Sequence, residues 1–386
     1  MSSIRFPRKT GIAAAVALAL AATVTLAQEP AATSATPSAP AAPLAPGPEL
    51  LLTLSLELST DNHDNTAVVG TAVRTELSVP GDRLEFSQRI SRLRKELSIK
   101  YIAPTERLGF QLASHEINVA ETRRYITENQ LLTTAQAAYR FYWSRLSSVG
   151  LWGIGWGAEA LRLDTDPTSA PYLSEFVQRY GKTTHNLPLL AFWSYDRRRA
   201  DSILPEGHLD RFNAEWGTGL GGLAYVKAEY QHSSYWTFGS RFAAGINASA
   251  GAIHGLHGDL TPLAKRYFGG GVGTVRGYEA SALTPTDTAR TGMGANRQAL
   301  GSAEALWHAF SIGETPVILS TFVDWGKFWD TGTSQVADET RVSASSYGLG
   351  LSMPVRIGLV RFYFAKPLDN DRRTQRFQFD ARASWR

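Results

Sequence analysis

The stretch that decides the fold lies at the end of the chain: Arg376-Phe377-Gln378-Phe379-Asp380-Ala381-Arg382-Ala383-Ser384-Trp385. Taken in twos, Phe377, Phe379, Ala381, Ala383 and Trp385 fall on one side. Arg376, Gln378, Asp380, Arg382 and Ser384 fall on the other. Successive side chains of a strand point to opposite faces, so this segment predicts a strand with one apolar and one charged face. The same alternation recurs upstream. Val360, Phe362 and Phe364 alternate with Arg361 and Tyr363; Leu97, Ile99 and Tyr101 alternate with Glu96, Ser98 and Lys100; Leu84, Phe86 and Ile90 alternate with Glu85, Ser87 and Arg89. Two architectures give this pattern. A soluble sandwich buries the apolar face in a dry core, whereas a membrane barrel turns it to lipid and keeps the polar face for a watery lumen. Alternation does not separate them.

The rest of the chain does. Past the N-terminus there is no apolar run of the roughly 18 residues a spanning helix needs, so any membrane crossing is by strands. Aromatics make up 11% of the chain, with ten Trp and fourteen Tyr, and there are 34 Gly, which suits interfacial girdles and tight turns but suits a soluble sandwich as well, so composition alone does not decide. There is no Cys, which excludes disulfides, thiolate metal sites and a Cys nucleophile. An exported chain without disulfides draws its stability from size and pairing, and a closed barrel leaves no edge unpaired. The formal net charge of +4 falls once N-terminal basic residues are removed and does not argue for nucleic acid.

The N-terminus reads as an export signal. Arg5, Arg8 and Lys9 precede a small, apolar stretch at 11–26, and Thr25-Leu26-Ala27 offers a cleavage point before Gln28. That is the three-part signal-peptide pattern, so 1–27 is expected to be cleaved. Without a Cys at that point a lipid anchor is excluded. Residues 28–48 hold six of the eighteen prolines in an Ala/Pro/Ser/Thr-rich run, expected to form a disordered linker. Residues 49–386 are expected to be a single all-β domain, a transmembrane antiparallel barrel of about sixteen strands. Its long connections are expected near 164–184 and 253–297, and connections of that length are usually functional.

Within the second of these lies Arg266-Tyr267-Phe268-Gly269-Gly270-Gly271, followed by Thr274-Val275-Arg276-Gly277-Tyr278. The glycines let the backbone turn where a Cβ would clash, and an Arg fork can grip carboxylates bidentately. A phosphate-binding loop is the competing reading, and it fails: the third dinucleotide glycine is missing and no Gly-Lys-Ser/Thr follows. This stretch resembles the signature loop of the BamA/TamA superfamily of outer-membrane assembly factors, the bacterial surface antigen family. Tyr195-Asp196-Arg197-Arg198 with Leu204-Pro205-Glu206-Gly207, Ser302-Ala303-Glu304, the stretch Phe322-Val323-Asp324-Trp325-Gly326-Lys327-Phe328-Trp329, Tyr347-Gly348-Leu349-Gly350 and Phe364-Ala365-Lys366-Pro367 resemble that family's strands in the right order. The resemblance implies a loop folded into the lumen, anchored by Val275, Arg276, Gly277 and Tyr278, with Glu304 and Asp324 as the lumen carboxylate partners. Asp196 and Arg198 read as a structural, cross-strand ion pair.

Family members usually carry periplasmic POTRA domains ahead of the barrel, and 28–48 leaves no room for one; a POTRA-less barrel is therefore expected. The resemblance implies insertion or translocation of proteins at the bacterial outer membrane. The route would be a lateral seam between a first strand bounded by Leu51 and Leu58 and a last strand bounded by Gln375 and Trp385. The alternative is a passive pore or structural barrel that has lost the assembly role. Expected partners are outer-membrane lipids and lipopolysaccharide, with client outer-membrane proteins or a separate periplasmic partner, and no nucleic acid. No catalytic, cofactor or metal role is expected. The eight His form no HExxH pair, His254 and His257 read as a solvated pair, and no GxSxG elbow occurs. A membrane lipase would need a Ser–His pair assembled by strands, which sequence order cannot display.

Overall fold

The computed structural model describes residues 50–59, 66–199, 202–219, 223–332, 334–355, 358–369 and 371–385. The expected signal peptide and linker lie outside the described residues. Sixteen antiparallel strands form the barrel. The first eight are β1 (Leu50–Ser59), β2 (Thr66–Thr75), β3 (Arg83–Ser91), β4 (Arg94–Pro104), β5 (Leu112–Tyr125), β6 (Leu131–Ser147), β7 (Gly150–Leu163) and β8, which runs as Thr183–Asn186 and Pro188–Asp196. The others are β9 (Gly207–Thr218), β10 (Ala224–Phe238), β11 (Phe242–Gly255), β12 (Arg297–Ile312), β13 (Thr315–Trp329), β14 (Arg341–Val355), β15 (Gly358–Pro367) and β16 (Phe377–Trp385). Both parts of β8 pair with β7. The break at Leu187 precedes Pro188, which has no N–H to offer the ladder. Each strand pairs with its neighbours in sequence, and β1 closes the barrel on β16.

The alternation is resolved in the membrane's favour. Leu54, Ile90, Ile117, Trp156, Trp216, Trp236, Val323 and Phe364 are exposed on the outside, whereas Glu159, Asp324, Ser346 and Gln378, on inward rows, are buried. Water would make so broad an apolar exterior an aggregation surface; lipid makes it the stable face. No helix among the described residues is long and apolar enough to cross a membrane.

The connections differ sharply between the two ends. At one end most are short turns, such as the Gly313–Glu314 link between β12 and β13. At the other end lie the long connections, and they cover it. The segment between β7 and β8 contains a helix, α1 (Pro171–Tyr180), that the sequence reading treated only as a long connection. Proline at its start presets the helical φ, and Gly181 at φ 78° ends it. Ten residues are too few to display a helical period against a background of strands. Tyr172, Leu173 and Phe176 of α1 pack with Ile126, Leu132, Leu163, Leu223, Leu260, Leu263 and Met293 into one apolar cap. Thr286–Asp287 pairs with Ala337–Glu339 in a separate small sheet that links two of these connections.

Candidate functional site

The connection between β11 and β12 packs its side chains against the inward rows of the barrel wall. Val275, Tyr278, Leu283 and Ala295 are fully buried against Tyr225 of β10, Ile253 of β11, Phe328 of β13 and Val342 and Ala344 of β14. Two glycines shape the path. Gly270 has φ 104°, and a Cβ there would lie 1.9 Å from the Glu279 carbonyl oxygen. Gly277 has φ 92°, and a Cβ would lie 3.0 Å from that of Ala365. Gly271 shares a positive φ, whereas Gly269 and Gly273 do not.

Arg276 is brought to both expected carboxylates. Its Nε and Nη2 donate to Asp324 Oδ2 and Oδ1, each at 2.7 Å, the bidentate geometry a planar fork favours. Its backbone N–H donates to Asp324 Oδ2 at 3.0 Å, and Nη2 lies 2.6 Å from Glu304 Oε1. Three partners were not legible in the sequence. Ser302 Oγ accepts from Nη2 and donates to Asp324 Oδ1. The guanidinium carbon sits 3.5 Å from the Phe322 ring centre and 4.9 Å from that of Tyr363, so π-faces back the charge. The Asp324 side chain is 1% exposed, so the pair is dry and removing one member is costly.

Gly277 and Tyr278 reach the last strand. Gln378 of β16, fully buried, accepts from the Gly277 N–H at 3.1 Å and donates to the Tyr278 carbonyl at 3.0 Å. Tyr278 also bridges Thr374, and the Gln375 N–H donates to the Gly277 carbonyl at 2.8 Å. The loop is therefore joined to the approach to β16 by an isolated bridge. Gln378 sits on the polar side of the stretch quoted at the outset, and that placement was its one signal.

Two further tie points precede the motif. Lys265 Nζ lies 2.8 Å from Glu159 of β7 and also contacts Glu215 of β9, while the Tyr225 hydroxyl lies within hydrogen-bond distance of both carboxylates. Arg266 pairs with Asp330 and Tyr172 and donates through Nε to the Gly294 carbonyl at 3.0 Å. Burial pushes the Tyr172 hydroxyl up to about 12, so it stays protonated at neutral pH. Arg266 was visible in the sequence, but partners 64 and 94 positions away were not.

The seam differs from the sequence expectation. Its register runs from Leu54↔Trp385 through Leu58↔Ala381 to Ser59↔Asp380, six positions among the described residues, against nine between β1 and β2. Leu51 pairs with Val73 of β2, and no β16 partner stands opposite it among the described residues. Gln375 falls ahead of β16 because Gly277 captures its N–H. On the inner side of the seam Glu57 pairs with both Arg382 of β16 and Arg89 of β3. The Asp196–Arg198 pair forms at 2.7 Å, but along one chain segment and not across strands.

The comparisons with known proteins agree with this geometry. The Omp85 superfamily domain matches residues 70–385. The outer membrane protein assembly factor BamA of Neisseria meningitidis serogroup B is 28% identical over 267 residues, 58% of this chain; the chain spans only 33% of that relative's length. Among solved structures, BamA from Haemophilus ducreyi lacking POTRA domains 1–3 superposes with a TM-score of 0.76 at 14% identity, over 87% of this chain and 70% of that one. CdiB from Acinetobacter baumannii gives 0.55 at 14% identity, over 87% and 60%. These structural likenesses establish the shared barrel fold, and the domain match identifies the lineage: the chain belongs to the Omp85 superfamily, as an outer-membrane barrel.

Proposed function

We propose that this barrel inserts or translocates proteins at the outer membrane by opening between β1 and β16. In this reading Val275, Arg276, Gly277 and Tyr278 anchor the loop on Glu304 and Asp324, and 1–27 is a cleaved export signal. Unpaired strand groups exposed by the opening template a client strand by β-augmentation. One observation carries the reading: the two strands of the seam are held unequally. β16 is gripped from inside by the loop through Gln378, whereas β1, among the described residues, pairs with β16 at six positions against nine with β2. β1 is then the strand that moves. The apolar cap over one end counts against the passive-pore reading, as does the loop packed along the wall.

The partners in this reading are client outer-membrane proteins, the surrounding lipids and lipopolysaccharide, and a separate periplasmic protein that delivers clients. Quantitative outer-membrane proteomics after deletion of the gene tests it. Depletion of specific barrels or exported proteins is expected, with recovery on complementation. An unchanged outer-membrane proteome, together with large steady conductance of the purified barrel in planar bilayers, would establish the pore instead.

A further inference from the structure

The lipid-facing surface carries a polar cluster that the seam and the loop do not use. His232 and Ser234 stand on the outward row of β10 with Tyr230, Trp236 and Phe238, all three exposed. Asp210 stands on the outward row of the adjacent β9 with Phe212 and Trp216, and the ladder sets Asp210 opposite His232. Ionisable side chains on the lipid face of a barrel are costly and call for a reason.

Their geometry supplies one. His232 Nδ1 lies 2.8 Å from Asp210 Oδ1, and the Ser234 Oγ lies 2.9 Å from His232 Nε2. A carboxylate only accepts, so Asp210 fixes the proton on Nδ1 and leaves Nε2 to accept from the Ser234 hydroxyl. Tyr230 donates to the same Asp210 oxygen at 2.6 Å and holds the carboxylate in place. A serine, a histidine and an orienting carboxylate in that relation are recognised by geometry and roles, whatever the fold or chain order.

We propose that Ser234, His232 and Asp210 form an acyl-ester hydrolase site on the outside of the barrel, with membrane glycerophospholipid as substrate. The position fits that substrate. The site lies just inside a belt of exposed aromatics at the short-turn end, Trp236, Phe238, Phe242, Trp307 and Phe310. Such belts mark the membrane–water interface, and short turns mark the periplasmic side. Lipid ester carbonyls and water meet at that level. Ser234 attacks the ester carbonyl carbon as its proton passes to His232 Nε2. The ester C–O bond breaks, and the glycerol oxygen leaves with that proton as lysophospholipid. Interfacial water then hydrolyses the acyl-serine by the same proton path, releasing fatty acid and restoring Ser234. Asp210 acts through His232 as a positioning residue. His208 stands opposite Ser234 in the ladder. Ser234 is itself buried, bordered in the register by Ile246 and His208, so the ester reaches it by displacing outward neighbours.

The test uses the full chain folded into vesicles of phosphatidylethanolamine and phosphatidylglycerol. A fluorophosphonate probe is expected to form an adduct that maps to Ser234 on the wild-type chain. Fatty-acid release is expected to fall about 10³-fold or more in Ser234→Ala and in His232→Asn, with heat-modifiable migration retained. The adduct is read on the wild type, so the outcome does not depend on a variant folding. Absence of a Ser234 adduct on folded protein, an adduct without fatty-acid release, or release that persists in Ser234→Ala overturns the proposal.

Discussion

The wall around Arg276 and the seam beside Glu57 are both charged, inward-facing and close to β16, yet they are built oppositely. Arg276 is backed by two aromatic rings, gripped by two carboxylates and a serine, and dry. Glu57 is also covered, but its partners Arg382 and Arg89 remain 46% and 32% exposed. Charge pairs with exposed partners are screened and contribute little, whereas desolvated ones make the fold depend on both members. The ion pairs that hold the loop to β13 are thus dry, whereas those beside the β1–β16 seam are partly hydrated.

The largest effect should come from Arg276→Glu. It sets a third carboxylate against Asp324 and Glu304, and the cost should reach at least about 3–5 kcal/mol. The expected outcome is loss of the heat-resistant folded band and of outer-membrane abundance; normal amounts of heat-resistant barrel would remove Arg276 from the account. Lys265→Met should follow, at about 3 kcal/mol, because Glu159 and Glu215 then face one another without a cation. Urea unfolding in detergent micelles reads it, and an unshifted midpoint would make the Lys265 contacts incidental. Gly277→Ala should cost about 1–2 kcal/mol for its left-handed backbone, plus the close approach to Ala365, seen as a lowered melting temperature. Glu57→Gln should be the smallest, at most about 1 kcal/mol globally. Its effect should instead concentrate on the seam, as faster labelling of a cysteine placed at Ala383. If Glu57→Gln destabilised the whole barrel as strongly as Arg276→Glu, the contrast between the two regions would collapse.

How much of this was legible follows from where each residue's partner lies. Outward and inward rows could be assigned from alternation, because the period is fixed by the backbone alone. Arg276, Glu304 and Asp324 stood out because the motif resemblance set them in relation. Phe322, Tyr363 and Ser302 did not, since their meeting with Arg276 depends on how four strands are registered. Lys265 sat beside the motif, but nothing local pairs it with Glu159 or Glu215. Gln375 directly precedes the alternating stretch and so was taken as the bound of the seam's last strand, although a loop carbonyl takes its N–H before the strand begins. Asp210's place beside His232 was invisible because a ladder joins two strands, and His232 and Ser234, two apart on one outward row, look like noise in an apolar face.

Opening of the seam is tested most directly by locking it. The chain has no native Cys, so Leu56→Cys with Ala383→Cys, which stand opposite each other in the register, gives a single reversible bridge. Client insertion into vesicles is followed with the bridge oxidised and reduced, and the melting temperature is measured in both states. The account predicts that the oxidised barrel is folded, more heat-resistant and inactive, and that reduction restores insertion. Undiminished insertion by the fully oxidised barrel would contradict it.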